Sequence, residues 1–598
     1  MCRIAGVISK KINPDEAFIT QMRDSMQHGG PDGCGVYINK ELGLAFGHRR
    51  LALIDLSPLG IQPMMDKEER IVIIFNGEIY NYQEIKDKLL AKGYNFKSSS
   101  DTEVIIYAYI EWGTDCFQHL NGMFALVLLD KLTNKLILAR DHAGIKPLYY
   151  YLKNNELYFA SEVRAFKTIN PSWQENSEWK KYFLLFGHLP EPITTLQDIQ
   201  PLEKGTFLEI DLNTWNTRQE SFHKLYYNYT IYKEEEALPL IKETLQKSVQ
   251  RHLISDAPIG LFLSGGIDSS LLTLLAQPFV NNNLHTLSII FDNEKFSEKQ
   301  YQNIIIQKTK AQHKSFLVTE NEFRQSIPDI IKAMDQPSND GINSYFICKY
   351  ARQYGLTAVL SGLGADELFG GYQSFNRTKA VGMINWLPEF IFEIANIFPD
   401  DRRKKINFLQ LKDALGEYLF NRGFFVPAQI AQLLDCTEKE LYNLLDNVRL
   451  PLFTEKLLPL EKISYIETNL YMQNQLLKDT DYMSMWHSLE VRVPFLDKEL
   501  INLLYSIVPE IRYNPNQIKH LLIKAFKNEL PETIWNRPKQ GFVFPFEMWM
   551  KHVQLQQQNK NAKQLLKGLT NGNIHWSRYW CYILSQPNNQ LKLTASYA

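Results

Sequence analysis

Apolar and polar positions along this chain change their rhythm near residue 213. Before that point the apolar residues come in short runs of strand length, punctuated by glycine- and asparagine-rich turns. Residues 3–9 and 35–39 predict strands, with the turn Gly29-Gly30-Pro31-Asp32-Gly33 between them, and residues 42–55 predict a strand pair carrying Arg49 and Arg50. The run Arg70-Ile71-Val72-Ile73-Ile74-Phe75 predicts a buried strand that stops at Asn76-Gly77-Glu78. Residues 83–92 and 102–112 predict helices, each followed by a glycine, the second capped by Ser100-Asp101. Residues 123–130 with 135–141, and 146–152 with 156–161, predict hairpins. Strands feeding two sheets, with helices beside them, predict a layered α+β domain over residues 2–212.

The stretch 213–235 is polar and aromatic and is expected to be a linker. Glu234-Glu235-Glu236 then opens a helix with Pro239 in its first turn, and Ala237, Ile241, Leu245 and Val249 recur every fourth residue on one face. Residues 259–263 predict a buried strand, followed by the tight loop Ser264-Gly265-Gly266 and a helix start at Ile267-Asp268-Ser269-Ser270. Further strands are expected at 285–291 and 357–360, the latter running into Ser361-Gly362-Leu363-Gly364-Ala365-Asp366-Glu367. Such a repeat predicts an α/β doubly wound domain over residues 236–550, with ligands at the carboxyl ends of its strands. From about residue 373 helical patterns dominate, and residues 551–598 are expected to form a C-terminal tail.

Composition narrows the function. Lys plus Arg number 65 against 66 Asp plus Glu, so the formal charge of −1 gives no reason to expect nucleic acid or an anionic membrane as partner. No apolar run approaches the roughly 18–20 residues that span a bilayer, and no apolar leader opens the chain. Six scattered cysteines make neither a disulfide framework nor a CxxC pair. The expectation is a reduced cytoplasmic enzyme acting on small molecules. A homodimer is carried forward as its expected assembly.

Three features carry chemistry. Cys2 becomes the N-terminus if the initiator methionine is removed, which places a thiol of reference pKa about 8.5 beside an α-amine near 7.7–8.0 that can take its proton. Asn76-Gly77 offers amide donors suited to an oxyanion. Ser264-Gly265-Gly266 before a helix N-terminus presents backbone N–H groups to an anion, and Asp268-Ser269 follows within the same turn. The loop lacks the Gly-Lys-Ser/Thr end of a Walker A sequence. Each has a mundane alternative: an inert cysteine, a turn, a loop.

In order, Cys2, Gly29-Gly30-Pro31-Asp32, Arg50-Leu51, Asn76-Gly77-Glu78-Ile79-Tyr80-Asn81, Ser100-Asp101-Thr102-Glu103 and Ala139-Arg140-Asp141 resemble the class II glutamine amidotransferases. These are N-terminal-nucleophile hydrolases with an αββα sandwich. The resemblance implies that Cys2 attacks the glutamine amide, that Asn76 and the Gly77 backbone hold the oxyanion, and that Arg50, Asn76, Glu78 and Asp101 bind glutamine. Gly29 departs from the arginine usual in that family.

Ser264-Gly265-Gly266-Ile267-Asp268-Ser269 is similar to the pyrophosphate loop of ATP pyrophosphatases, which suits Asp268 to Mg²⁺. With Ser361 to Tyr372, Asp479 to Asp497 and Arg537 to Phe542, the whole resembles the glutamine-hydrolysing asparagine synthetase family over roughly residues 2–550. That implies ATP as substrate, with Leu263, Ser264, Gly265, Gly266, Asp268, Ser269, Ile289, Ser361 and Gly362 at its site. It also implies Mg²⁺ on Asp268 and Asp366, and Lys539 as a catalytic cation. A carboxylate, in that family aspartate, is adenylated and then attacked by ammonia from the glutaminase. Leu363 stands where the family has glutamate. Either another acid, Asp340 or Glu367, takes that role, or the acceptor is a different carboxylate. The intact Cys2 argues against the family's ring-closing branch, and the loop with Lys539 argues against a catalytically dead scaffold.

Overall fold

The computed structural model describes residues 2–225, 227–280, 283–292, 298–384, 392, 401–448, 450, 452–514, 516–538, 544–555, 559–586 and 593–595. The first half is built from twelve strands: β1 (Arg3–Ile8), β2 (Gly33–Asn39), β3 (Leu44–Arg50), β4 (Met64–Met65), β5 (Ile71–Ile79), β6 (Gly122–Asp130), β7 (Lys135–Arg140), β8 (Tyr149–Lys153), β9 (Glu156–Ala160), β10 (Gln200–Pro201), β11 (Thr206–Asp211) and β12 (Thr217–Ser221). They form two antiparallel six-stranded sheets, ordered β10-β8-β9-β1-β3-β2 and β12-β11-β7-β6-β5-β4.

Alternation along each strand explains the layering, because successive side chains point to opposite faces. Ile4 and Ile8 of β1 meet Val72 and Ile74 of β5 between the sheets. Ala5 and Val7 face outward onto Ile19 and Met22 of the helix Glu16–Asp24. Ile71, Ile73 and Phe75 face the other way, onto Val104, Ile105 and Ala108 of the helix Asp101–Trp112. Both faces of β5 are therefore covered, which is why its sequence is apolar without alternation. The result is the αββα sandwich.

Two expectations change here. Residues 42–55 form one strand, β3, not a pair, and the chain leaves it as a loop. Asn76-Gly77-Glu78 does not end β5 but lies within it, since pairing with β6 continues through Asn76↔Ala125, Gly77↔Phe124 and Ile79↔Gly122. In addition, β12 falls inside the stretch read as linker, extending the second sheet by pairing with β11.

The second half holds a five-stranded parallel sheet of β13 (Ile259–Phe262), β14 (His285–Ile290), β15 (Gln312–Leu317), β16 (Ala358–Leu360) and β17 (Glu490–Arg492), ordered β15-β14-β13-β16-β17. Strand order reverses at β13 and β16, the position where doubly wound folds open a crevice for ligands. Ile241 and Leu245 of the helix Glu234–His252 join Leu271 and Leu275 of the helix Ile267–Ala276 in one core. Cys348 and Ala351 of the helix Ile342–Gln353 meet Leu287, Val359 and Val491 of the sheet in another.

The tail is not loose. Its helices Lys560–Thr570 and Trp576–Ser585 bury Tyr579, Trp580 and Cys581 in the same cluster as Tyr182 and Phe183 of the helix Trp179–Phe186. Polar contacts also cross between the halves: Arg3 and Lys146 both pair with Asp481, and Asn121 donates to Asp497. Among the described residues no helix is long and apolar enough to cross a membrane.

Candidate functional site

The first pocket lies where β1, β3 and β5 meet the start of the helix Asp101–Trp112. Cys2, Arg50, Gly77, Glu78 and Asp101 line it together with Leu51, Gln62 and Thr102. Asn76 stands behind Cys2, its Oδ1 accepting the Cys2 N–H at 3.2 Å. Its Nδ2 is buried without a hydrogen-bond partner, which leaves an amide donor unused. Burial pushes the Cys2 thiol up, while the Leu51 backbone and the Arg50 charge oppose that rise. The Arg50 guanidinium donates to the carbonyls of Ser57, at 3.0 Å, and of Asp55. The cavity is about 20 Å³, room for one water.

Two acids face this pocket. Asp101 accepts the Ile79 N–H at 3.0 Å, and burial raises its carboxyl above the usual range. Burial, then the charge of Glu490, raises Glu78 strongly, with Arg492 pulling the other way from 3.5 Å. Carboxyls held up by desolvation gain most from an incoming cation, which is what the ammonium of an amino acid supplies.

Gly29 acquires a reason. A Cβ there would meet Arg3 Cγ at 2.7 Å and Nε at 2.9 Å. Arg3 is fully buried and pairs with Glu162 and Asp481, each at 2.8 Å. The space that a side chain at position 29 would need is thus filled by Arg3.

The second pocket is a cavity of about 330 Å³ at the reversal point of the parallel sheet. Leu263, Ser264, Gly266, Asp268, Ser269, Ile289, Ser361, Gly362 and Asp366 line it; Gly265 belongs to the loop but not to the lining. The loop is laced by its own hydroxyls: Ser264 Oγ and Ser269 Oγ lie 3.0 Å apart, and Ser269 Oγ donates to the Gly266 carbonyl at 3.3 Å. Arg537 steadies it from outside, donating to the Gly265 carbonyl at 3.0 Å and pairing with Glu298 at 2.7 Å. Gly362 permits the two loops to close on each other, because a Cβ at that position would meet Asp268 Cβ at 2.7 Å.

Asp268 and Asp366 converge on one group that the sequence did not flag. Lys519 Nζ lies 2.5–2.6 Å from the Asp268 oxygens and 2.7 Å from Asp366 Oδ1. The lysine is nearly fully buried, and its two carboxylate partners hold it above the ordinary lysine range. No local pattern marks Gln517-Ile518-Lys519-His520, since both partners come from remote loops. Two carboxylates suit Mg²⁺, which takes one or two protein acids and completes its shell with phosphate oxygens and water. Among the described residues no group of three acidic, histidine or cysteine side chains gathers to hold a metal by itself. Lys539 lies outside the described residues, as do residues 540–542.

Leu363 lines the same cavity, and so do Asp340, Glu367 and Asp479. Ser338 Oγ donates to Asp479 at 2.8 Å, and burial together with the Asp340 charge raises Asp479 well above the usual range. Burial, then the Asp366 charge, pushes Glu367 up to about 7, while the Tyr372 hydroxyl donates to it at 2.7 Å. Apolar Leu363 thus shares its cavity with three desolvated acids.

Residues 240–569 match the family model described as asparagine synthase, and residues 1–223 that of a glutamine amidotransferase domain. The chain is 33% identical over 566 residues to asparagine synthetase [glutamine-hydrolyzing] 1 of Bacillus subtilis, covering 92% of this chain and 88% of that protein. It is 31% identical over 572 residues to asparagine synthetase [glutamine-hydrolyzing] 3 of the same organism, covering 91% and 87%. It is also 33% identical over 470 residues to a putative asparagine synthetase of Methanocaldococcus jannaschii, covering 74% and 89%. With both pockets in place and both family models matched in order, the chain belongs to the glutamine-hydrolysing asparagine synthetase family.

Proposed function

We propose that this protein is a glutamine-dependent ligase that adenylates a carboxylate with ATP and converts it to the amide, with L-aspartate as acceptor and L-asparagine as product. The observation that carries this reading is the convergence of the Ser264–Ser269 loop, Asp268 and Asp366 on one cavity, in a chain that also buries Cys2 beside Asn76.

At the first pocket the α-amine of Cys2, freed by loss of the methionine, takes the thiol proton, and the thiolate adds to the glutamine amide carbon. Asn76 Nδ2 and the Gly77 N–H hold the oxyanion, Arg50 takes the α-carboxylate, and Glu78 and Asp101 take the α-ammonium. Collapse expels ammonia, and water releases glutamate from the thioester. At the second pocket the N–H groups of the Ser264–Ser269 loop cradle the nucleotide phosphates, with Leu263 and Ile289 beside the base. The acceptor carboxylate attacks the α-phosphorus and pyrophosphate leaves. Ammonia then displaces AMP from the acyl carbon. Asp268 and Asp366 would hold Mg²⁺, which neutralises charge on the phosphates. Lys539 supplies a mobile cation for the same charge.

A second reading keeps the chemistry and changes the acceptor to another carboxylate, such as a sugar acid. Leu363 in place of an acid, with Asp340, Glu367 and Asp479 close by, favours it. Pyrophosphate release with glutamine, ATP and a panel of carboxylates separates the two. Release with aspartate supports asparagine synthesis; release with another acid and none with aspartate overturns it.

A further inference from the structure

The short strand β17 carries a buried ion cluster that the chemistry of neither pocket uses. It pairs in register with β16, and the Ser361 N–H donates to the Arg492 carbonyl at 2.8 Å. Ser361 lines the adenylation cavity, so the main chain of Arg492 braces that rim. Its side chain reaches into the first half. The guanidinium is fully buried and shared out. Nε donates to Glu490 at 2.5 Å, and Nη1 donates to the carbonyls of His252 at 2.8 Å and Ile254 at 2.5 Å. Nη2 lies 3.5 Å from Glu78 Oε2, and neither atom has a hydrogen-bond partner among the described residues.

Glu78 lines the Cys2 pocket. Burial and then the charge of Glu490 favour its neutral form, and Arg492 opposes both. A carboxyl without its charge holds an ammonium poorly, so the pocket depends on what keeps Glu78 ionised and in place. One oxygen facing a guanidinium leaves a carboxylate its second oxygen for a substrate cation. The Tyr80 ring packs between, 5.8 Å from the Arg492 guanidinium and 3.7 Å from the His252 ring. Burial pushes His252 down to about 3, so that ring adds no charge.

We infer, on the glutaminase reading of the Cys2 pocket, that Arg492 is a positioning residue for glutamine supplied by the second half of the chain. Its guanidinium holds the Glu78 carboxylate for the α-ammonium of the amino acid. The two pockets thereby share one support, the side chain of Arg492 serving the first and its carbonyl the second.

The test measures glutamate formation from glutamine in the full chain. Arg492→Lys keeps a cation and the carbonyl to Ser361 but loses the fork. Glu490→Gln keeps an acceptor for Nε and removes the charge that opposes Glu78. In Arg492→Lys the KM for glutamine should rise about tenfold, the size of one hydrogen bond to a charged group, with kcat within about threefold of the parent. In Glu490→Gln the KM should fall. In a Glu78→Gln background Arg492→Lys should change the KM by less than about twofold, because its partner is gone. A staple between the halves with no part in glutamine binding predicts another pattern: both substitutions lower kcat, and the Arg492→Lys loss persists in the Glu78→Gln background. That pattern overturns the assignment, as does an unchanged KM in Arg492→Lys. If Arg492→Lys does not fold, Glu490→Gln decides, an unchanged or raised KM overturning it. A parent protein that forms no glutamate overturns the glutaminase reading and the role of Arg492 with it.

Discussion

The two pockets of this chain are built in opposite ways. The Cys2 pocket draws its polar groups from the first 102 residues, on strands, loops and a helix start of one sandwich, and measures about 20 Å³. The adenylation cavity is about 330 Å³ and gathers residues from Phe262 to Thr480, with Lys519 pairing to its Asp268 and Asp366 from still farther along. The first has a cation, Arg492, 3.5 Å from Glu78. The second already holds a cation, Lys519, where Asp268 and Asp366 meet. The larger cavity, assembled from separate loops, brings the rim residue Leu363 and the acids Asp340, Glu367 and Asp479 to one space.

The sharpest way to separate the pockets is Asp268→Ala. Pyrophosphate release should fall at least a hundredfold, while glutamate formation from glutamine persists within a few-fold. Parallel loss of both activities would mean that the pockets are not independent.

A smaller effect is expected from Lys519→Gln, which leaves Asp268 and Asp366 facing each other without their countercharge. Breaking a buried pair on one side costs about 3–5 kcal/mol, so the unfolding midpoint in denaturant should drop. Added Mg²⁺ should restore part of the loss if both carboxylates bind it. No Mg²⁺ response would argue against the Asp268–Asp366 assignment.

The smallest effect is a pH dependence at Glu367. Its folded value of about 7 lies above the ordinary 4.5. The contribution of the neutral acid is therefore full below about pH 4.5 and is lost as pH rises through 7. Glu367→Gln, neutral at every pH, should gain stability relative to the parent protein between pH 5 and 8, by on the order of 3 kcal/mol. Denaturant unfolding at the two pH values measures this; a pH-independent difference would mean that Glu367 is ionised throughout.

Legibility in the sequence followed the same division. Strands with one covered face, and the run Ile71 to Phe75 with two, announce themselves by pattern. The strand β15 did not, because its Gln-His-Lys-Ser-Phe-Leu is a polar edge, nor β17, because Glu-Val-Arg is too short and charged. The residues that line the Cys2 pocket lie in contiguous motifs, which makes them legible in the sequence. Asn76-Gly77 was expected at a strand end because that dipeptide favours turns, but unbroken pairing with β6 overrode the local preference. Gly29 could be explained only when Arg3 was seen in the space a side chain would need. Lys519 could not be read at all, since its partners Asp268 and Asp366 lie on loops that only the fold brings to it.

The central claim is that nitrogen released at Cys2 is used at the adenylation cavity. Cys2→Ala tests it most directly, with amide product measured once with glutamine and once with ammonium chloride as nitrogen source. The account predicts that glutamine-dependent product falls more than a thousandfold while ammonia-dependent product stays within a few-fold of the parent protein. Loss of both, or retention of glutamine-dependent synthesis, would contradict it.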